Sequence, residues 1–182
     1  LPDGAAGIPG VIVPRKAVAE LAKLIEESDG AVTVALSDSK IRFTLNSATL
    51  TSKLIEGAFP DYERVIPSGN DKSLMVGNKD LRDAVDRVST ISTEKSRAIK
   101  LAMSKGKLVL SAASPEAGSG TEDLDAVFDA GPIEIGFNAK YVLDMTDQID
   151  GKEITFMFSD AASPTLVRDS NDTSAVYVIM PM

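Results

Sequence analysis

Carboxylates are the side chains of this sequence that could do acid–base or metal chemistry. The 182 residues include no His and no Cys, which removes the commonest general base, the commonest metal ligand and the thiolate nucleophile. Asp80 and Asp83 are spaced i, i+3 on a predicted helix, as are Asp144 and Asp147. Such pairs could hold a metal ion, but charge on an exposed helix face is ordinary, so we interpret both pairs as solvated surface.

Other candidate motifs do not support catalysis. Gly118-Ser119-Gly120 lacks the Lys-Ser/Thr that follows in a phosphate-binding loop. Asp160 and Asp169 lie in or beside predicted hairpins, without the spacing of metal ligands. We therefore predict that the protein is not an enzyme, with no catalytic residue, no metal and no cofactor.

Composition and charge exclude further classes of protein. Hydrophobic residues make up 43% of the chain and charged residues 25%, so a packed core is expected. The sequence has neither a run of ~18 apolar residues that could cross a membrane nor a signal peptide. The net charge of −8 argues against a simple nucleic-acid binder, although a ring that encloses a polymer is an exception. Because the first residue is Leu1, we expect a fragment or a processed product.

The secondary-structure elements that would position any site form a unit that is repeated three times along the chain. Each unit of roughly 60 residues contains a short strand, a helix and three strands, and the helices start near residues 15, 78 and 138. This pattern predicts an α+β fold of repeated β-α-β-β-β units in antiparallel sheets. The predicted buried stripes are Val18, Leu21, Leu24 and Ile25 in the first helix, Leu81, Val85 and Val88 in the second, and Val142, Met145 and Ile149 in the third.

Turn and cap residues set the boundaries of these elements. The first unit begins with a strand at 11–13, and its helix ends near Ser28-Asp29-Gly30. The Gly/Ser-rich stretch 114–120 is predicted to be a loop, with the next strand at 123–128. Asn138 is predicted to cap the third helix.

One polar, turn-rich stretch divides the repeats unequally. It separates the first unit from the other two, whereas only a tight turn at 129–132 separates the second from the third. We therefore place half of a domain at 1–67, a linker at 68–72 and one whole domain at 73–182.

Two surfaces have two possible interpretations each. Basic side chains on the helices either belong to a solvated face, since acidic residues are interspersed, or contact phosphates sparsely and without sequence preference. These are Arg15, Lys16, Lys23, Lys79, Arg82 and Lys140. The closing residues Met180-Pro181-Met182 either finish a core strand or form an adaptable binding surface.

Four motifs in one order resemble the bacterial sliding clamp, the β subunit of the replicative DNA polymerase III. They are the stretches 11–16, 51–54, 59–62 and 177–182. The resemblance implies a DNA-clamp fold with helices on one face of antiparallel sheets. It makes 1–67 the second half of the clamp middle domain and 73–182 the clamp C-terminal domain.

The resemblance also implies a function and partners. The full-length protein would be a homodimer ring, a processivity factor that encircles duplex DNA without sequence preference and tethers the polymerase. It would lie in the bacterial cytoplasm, associated with the nucleoid and without a membrane, and it would have no catalytic site of its own. The catalytic polymerase subunit, the clamp loader, other polymerases and repair proteins would bind through short linear peptides. The alternative is a stand-alone peptide-binding adaptor that does not encircle DNA.

By the same resemblance, partner peptides enter an apolar pocket between the middle and C-terminal domains. The matching positions are Pro60, Arg64, Val65, Asn138, Tyr141, Ala162, Pro164, Val178, Ile179, Met180, Pro181 and Met182. A further segment of the family pocket would lie upstream of Leu1. The ring interface is matched by Thr90, Ile91, Glu116 and Glu122.

Overall fold

The chain divides into two units. The structure, a computed structural model, describes residues 4, 6–26, 30–46, 48–92, 97–172 and 174–182. The N-terminal unit is Leu1–Asp61 and the C-terminal unit is Tyr62–Met182. The predicted helix end at Ser28-Asp29 lies outside the described residues. The domain boundary at 67–72 stays a prediction, and in the structure Lys72 already opens a strand.

The N-terminal unit is one helix with a three-stranded antiparallel sheet. Helix α1 is Arg15–Glu26, and the strands are β1 (Thr33–Leu36), β2 (Lys40–Thr44) and β3 (Thr49–Lys53), in the order β1-β2-β3. The predicted strand at 11–13 is wrong, since that segment forms only an isolated bridge between Ile12 and Ile55. Pro9 and Pro14 flank the segment and have no N–H to donate, so a longer ladder is disfavoured.

Much of the predicted buried stripe of α1 is not buried within this unit. The exposed fraction is 53% for Val18 and 46% for Ile25, whereas Ala17 is buried. Three short strands cover only one side of the helix, so the rest of its apolar face remains uncovered. The prediction of a buried stripe is therefore wrong for Val18 and Ile25.

The C-terminal unit contains two helices and one eight-stranded antiparallel sheet. Its order along the chain is β4 (Lys72–Gly77), α2 (Asn78–Ser89), β5 (Ala98–Ser104), β6 (Lys107–Ser114), β7 (Gly118–Phe128), β8 (Ile133–Asn138), α3 (Ala139–Thr146), β9 (Glu153–Phe158), β10 (Thr165–Asp169) and β11 (Tyr177–Ile179). The strand order β11-β10-β9-β4-β7-β6-β5-β8 contains both predicted repeats. The predicted fold class is confirmed.

The two halves of this sheet are paired in the same way. The first strand of each half pairs with the second strand of the other, β4 with β9 and β8 with β5. Strand β4 also pairs with β7, the last strand of its own half. In the second half the corresponding contact is a single hydrogen bond, in which the Met182 N–H donates to the Gly136 carbonyl at 2.9 Å. The C-terminal tail therefore reaches the edge strand β8.

Apolar residues at helical and alternating spacing form the core of this unit. The predicted stripes of α2 and α3 are buried, including Leu81, Val85 and Val142 at 0% exposure. They pack against alternate residues of the sheet such as Phe137 and Phe156, which are also fully buried. The predicted stripes of the second and third helices are confirmed.

The predicted loop at 114–120 is wrong. Strand β7 begins at Gly118, and Gly118, Ser119 and Gly120 pair with β6. Within this stretch only residues 115–117 form a turn, which joins β6 and β7 into one long hairpin. A Cβ atom at Gly120 would collide with the Ile91 side chain. Glycine at this position therefore allows Ile91 to pack against the strand.

Candidate functional site

A cavity of about 440 Å³ opens between α3 and β11. Its lining is mostly apolar and consists of Tyr141, Asp144, Met145, Val176, Tyr177, Val178 and Ile179. Tyr141 projects outward with 60% of its surface exposed, although its helical neighbour Val142 is fully buried. An exposed aromatic ring beside an open apolar cavity can bind an extended peptide.

Local hydrogen bonds position both walls of this cavity. The Asn138 side chain accepts from the Lys140 N–H at 3.0 Å and caps α3, as predicted. Strand β11 is held in register on β10, where Val178 pairs with Leu166. The Tyr177 hydroxyl donates to the Gln148 carbonyl at 3.3 Å, which links β11 to the end of α3.

The structure separates core residues from surface residues in the terminal segment. Ile179 is 6% exposed and belongs to the core, whereas Met180 is 57% and Met182 65% exposed. Met182 also lines a wider depression of about 770 Å³ on β5 to β8, beside Lys100 and Glu134. The last residues are thus anchored through the backbone and leave their thioether side chains in solvent.

The other predicted pocket residues lie outside the cavity lining. Ala162 and Pro164 are in the turn between β9 and β10, and Arg64 ends a 3₁₀ turn at Tyr62–Arg64, followed by Val65. Pro60 is in the N-terminal unit. Their assignment to a peptide site stays a prediction.

Four lining residues were not predicted from the sequence. Asp144 and Met145 follow Tyr141 by one turn of α3, and Val176 and Tyr177 precede the predicted strand residues. The i, i+3 and i, i+4 spacing from Tyr141 was a usable signal, because such residues share a helix face.

The predicted DNA-facing cations fall into two groups. In the first group, Lys79 pairs with Asp83 at 2.9 Å and Arg82 with Asp147 at 2.6 Å, and Lys23 pairs with Glu20 at 3.2 Å. The Lys79 hydrogen bond holds the pKa of Asp83 below its ordinary value. In the second group, Arg15, Lys16 and Lys140 form no ion pair with any other described residue.

Lys140 also lines a small cleft of about 340 Å³. The cleft lies between the end of α2 and the start of α3, and Arg97, Ser89, Thr90 and Ser92 contribute to it. The Asp144 carboxylate lines the same cleft and would oppose an anion there, so the cleft alone does not indicate a phosphate site.

The predicted ring-interface residues surround β7. Strand β7 pairs with β4 only from Ala126 to Phe128, so among the described residues the stretch 118–125 has no strand on that side. Glu122 accepts two hydrogen bonds of 2.7 Å from Arg87, which lower the pKa of Glu122. Ile91 packs partly against the core. These four positions also stay predictions.

The described residues show no arrangement typical of a metal centre. No group of three or more carboxylates that could hold a metal ion occurs in the described part of the chain. Asp80, Asp144 and Asp147 are exposed and Asp83 is half-buried, and both Asp83 and Asp147 pair with cations. None of the described helices is long and apolar enough to cross a membrane.

Comparison with known proteins identifies both units. Residues 63–182 match the family model of the DNA polymerase III beta subunit, C-terminal domain, and residues 2–61 match the central domain of the same subunit. A curated beta sliding clamp from Caulobacter vibrioides is 51% identical over 181 residues, which cover 100% of this chain and 49% of that protein. One from Pseudomonas aeruginosa is 42% identical, covering 94% and 47%.

Solved structures agree with the sequence matches. A crystal structure of a DnaN sliding clamp from Bartonella birtlesii, bound to griselimycin, has a TM-score of 0.91 and 51% identity, and it covers 100% of this chain and 49% of that chain. The chain thus spans about half the length of these relatives. The chain belongs to the family of DNA polymerase III beta subunits, the beta sliding clamps.

Proposed function

We propose that this chain works as part of a sliding clamp that encircles duplex DNA and holds the replicative polymerase on it. The observation that carries the proposal is that family models of two successive clamp domains together match nearly the whole chain. The protein would act in the bacterial cytoplasm, at the nucleoid, as an accessory subunit without a catalytic site.

The exposed helix faces support a role in DNA binding. We propose that α1, α2 and α3 face the duplex and that Arg15, Lys16 and Lys140 contact phosphates most strongly. A cation already paired with a carboxylate has part of its charge neutralised, so Lys79 and Arg82 would contribute less. Sparse contacts suffice, because a closed ring retains DNA by enclosing it.

The open side of β7 supports ring closure. An exposed strand edge offers unpaired N–H and carbonyl groups to a strand of another subunit. We propose that residues 118–125, together with Thr90 and Ile91, form the dimer interface of the full-length protein. The ion pair of Glu122 with Arg87, which lies at the surface, would tie this edge to α2.

The cavity between α3 and β11 supports binding of partner peptides. Polymerase, clamp-loader and repair-protein peptides would insert apolar side chains beside Tyr141 and Met180. Ala162 and Pro164 would form a rim that contacts the rest of the peptide, since the pairing of Thr165 with Ile179 brings their turn beside Met180. Methionine suits a surface with several partners because its side chain adapts its shape.

Two substitutions in the full-length protein test the peptide site. We expect Tyr141→Ala and Met180→Ala each to weaken a fluorescein-labelled clamp-binding peptide of a polymerase by about tenfold or more, since exposed aromatic and thioether anchors dominate such contacts. Fluorescence anisotropy measures the Kd. Val127→Ala is the matched control, because Val127 is also an apolar residue with 62% exposure but lies on β7. An unchanged Kd in both site variants would contradict the proposal.

A further inference from the structure

The turn between β9 and β10, at 159–164, is held by several side-chain hydrogen bonds. The Asp160 carboxylate accepts from the main-chain N–H groups of Ala162 and Ser163, each at 2.8 Å. It also accepts from the Ser163 hydroxyl at 2.8 Å. The Ala162 N–H and then the Ser163 hydroxyl hold the pKa of Asp160 below its ordinary value. One exposed carboxylate therefore fixes the backbone of the turn.

A second set of bonds ties this turn to the segment before β4. The Asn70 side-chain amide donates to the Met157 carbonyl at 2.7 Å and to the Pro164 carbonyl at 2.9 Å. The Lys72 ammonium donates to the Ser159 carbonyl at 2.7 Å. These bonds join residues 87 or 94 positions apart in the chain. Both ends of the turn are therefore anchored by residues that lie far away in sequence.

We propose that Asp160 and Asn70 are positioning residues for partner binding. They hold Ala162 and Pro164 in one conformation before a peptide arrives. The inference rests on the proposed function of the peptide site. Its physical basis is preorganisation: a rim that is already ordered loses little conformational entropy on binding, and so the peptide is bound more tightly. Neither residue needs to touch the peptide, because each acts through the turn.

Substitution of Asp160 in the full-length protein tests this role. We expect Asp160→Ala to raise the Kd of a fluorescein-labelled clamp-binding peptide about fivefold to tenfold, because the rim would have to be ordered on binding. Asp160→Asn should recover most of the affinity, since the amide oxygen can still accept from both N–H groups. Amide hydrogen exchange should accelerate at Ala162 and Ser163 in Asp160→Ala, and peptide binding should slow it again.

Two further variants make the result decisive. Asp172→Ala is the matched control, because Asp172 likewise accepts the main-chain N–H of Ser174 at 2.8 Å in another exposed turn; an equal loss of affinity in that variant would overturn the inference. Asn70→Ala should weaken the peptide in the same way, and it replaces Asp160→Ala if that variant does not fold.

The inference and the proposed function fail in different ways. If Met180→Ala weakens the peptide while Asp160→Ala and Asn70→Ala bind with the wild-type Kd, the peptide site stands and the positioning role is wrong. If Met180→Ala and Tyr141→Ala also bind with the wild-type Kd, the site itself is wrong, and the inference falls with it.

Discussion

Two asparagines at the starts of the helices of the C-terminal unit have different roles. Asn138 precedes α3 and caps its own helix. Asn78 is buried at the start of α2, and its amide donates to the Ile149 carbonyl at 2.8 Å and the Thr146 carbonyl at 3.3 Å. Asn78 therefore connects α2 to the end of α3. A cap acts locally, whereas this contact holds two helices together.

The first prediction compares these two positions. Asn78→Ala removes the side-chain donor of the Ile149 carbonyl and one of the two donors of the Thr146 carbonyl, so we expect it to lower the free energy of unfolding by about 1–3 kcal/mol. Asn138→Ala removes a helix cap and should cost about 1 kcal/mol. Urea denaturation followed by circular dichroism measures both values. A smaller loss for Asn78→Ala than for Asn138→Ala would contradict the bridging role.

Carboxylates with lowered pKa values predict loss of stability in acid. Arg87 lowers the pKa of Glu122 from the ordinary value of 4.5, and Lys79 lowers that of Asp83 from 3.8. The unfolded chain therefore takes up protons first as the pH falls. The stabilisation is complete above the ordinary carboxyl values and is lost as the pH drops through the lowered values of the folded state.

This effect can be measured with one substitution. We expect the urea midpoint of the wild-type chain to fall between about pH 6 and about pH 3, and Glu122→Gln to reduce that fall. Because these pairs lie near the surface, added salt should also reduce it. A pH dependence identical in wild type and Glu122→Gln would show that the Arg87 pair has no part in it.

At the scale of elements, periodicity predicted most of the C-terminal unit. The stripes Leu81, Val85 and Val142 are buried because each helix has a sheet beneath it and a second helix beside it. The same pattern predicted three strands after the third helix, and β9 and β10 are two of them. The boundary of β7 was missed because glycine and serine are typical of loops, whereas here the small side chains leave room for Ile91. The requirement for a small residue opposite Ile91 arises from tertiary packing, which a local sequence pattern does not show.

The candidate site was predictable only in part, for a related reason. Tyr141, Val178 and Ile179 line the cavity, and local patterns placed them on a helix and a strand. The pairing of β11 with β10, which brings that strand beside α3, depends on contacts between residues distant in sequence. The hydrogen bonds of Asn70 and Asp160 are likewise absent from any local pattern.

The third prediction concerns the independence of the two units. The main core cluster runs from Leu74 to Ile179, entirely inside the C-terminal unit. A fragment of residues 62–182 should therefore fold alone, with one cooperative thermal transition. Residues 1–61 should not, because Val18 and Ile25 remain exposed on α1. Circular dichroism of both fragments tests this, and a molten 62–182 fragment would contradict it.

At the scale of the whole molecule, the proposed function requires an acidic chain to hold DNA. The net charge of −8 opposes a uniform attraction to DNA, so in the proposed clamp the binding energy would come from where the cations lie and from closure of the ring. Ion pairs within the chain further restrict which cations would be available to contact phosphates. Lys16 and Lys140 form no ion pair with described residues, whereas Lys100 pairs with Glu134 and Lys105 lies near Asp129.

The last prediction follows from this uneven distribution of charge. In the full-length protein, we expect Lys16→Glu with Lys140→Glu to reduce clamp-dependent processive synthesis several-fold, about as expected for the loss of two phosphate contacts on each subunit. The double variant Lys100→Glu, Lys105→Glu changes the net charge equally. These two residues lie on β5 and in the turn between β5 and β6, not on a helix, so synthesis should stay near the wild-type level. Primer extension on a singly primed circular template, at increasing salt, measures both. Equal losses in the two double variants would mean that total charge, and not a helix face directed at DNA, controls the interaction.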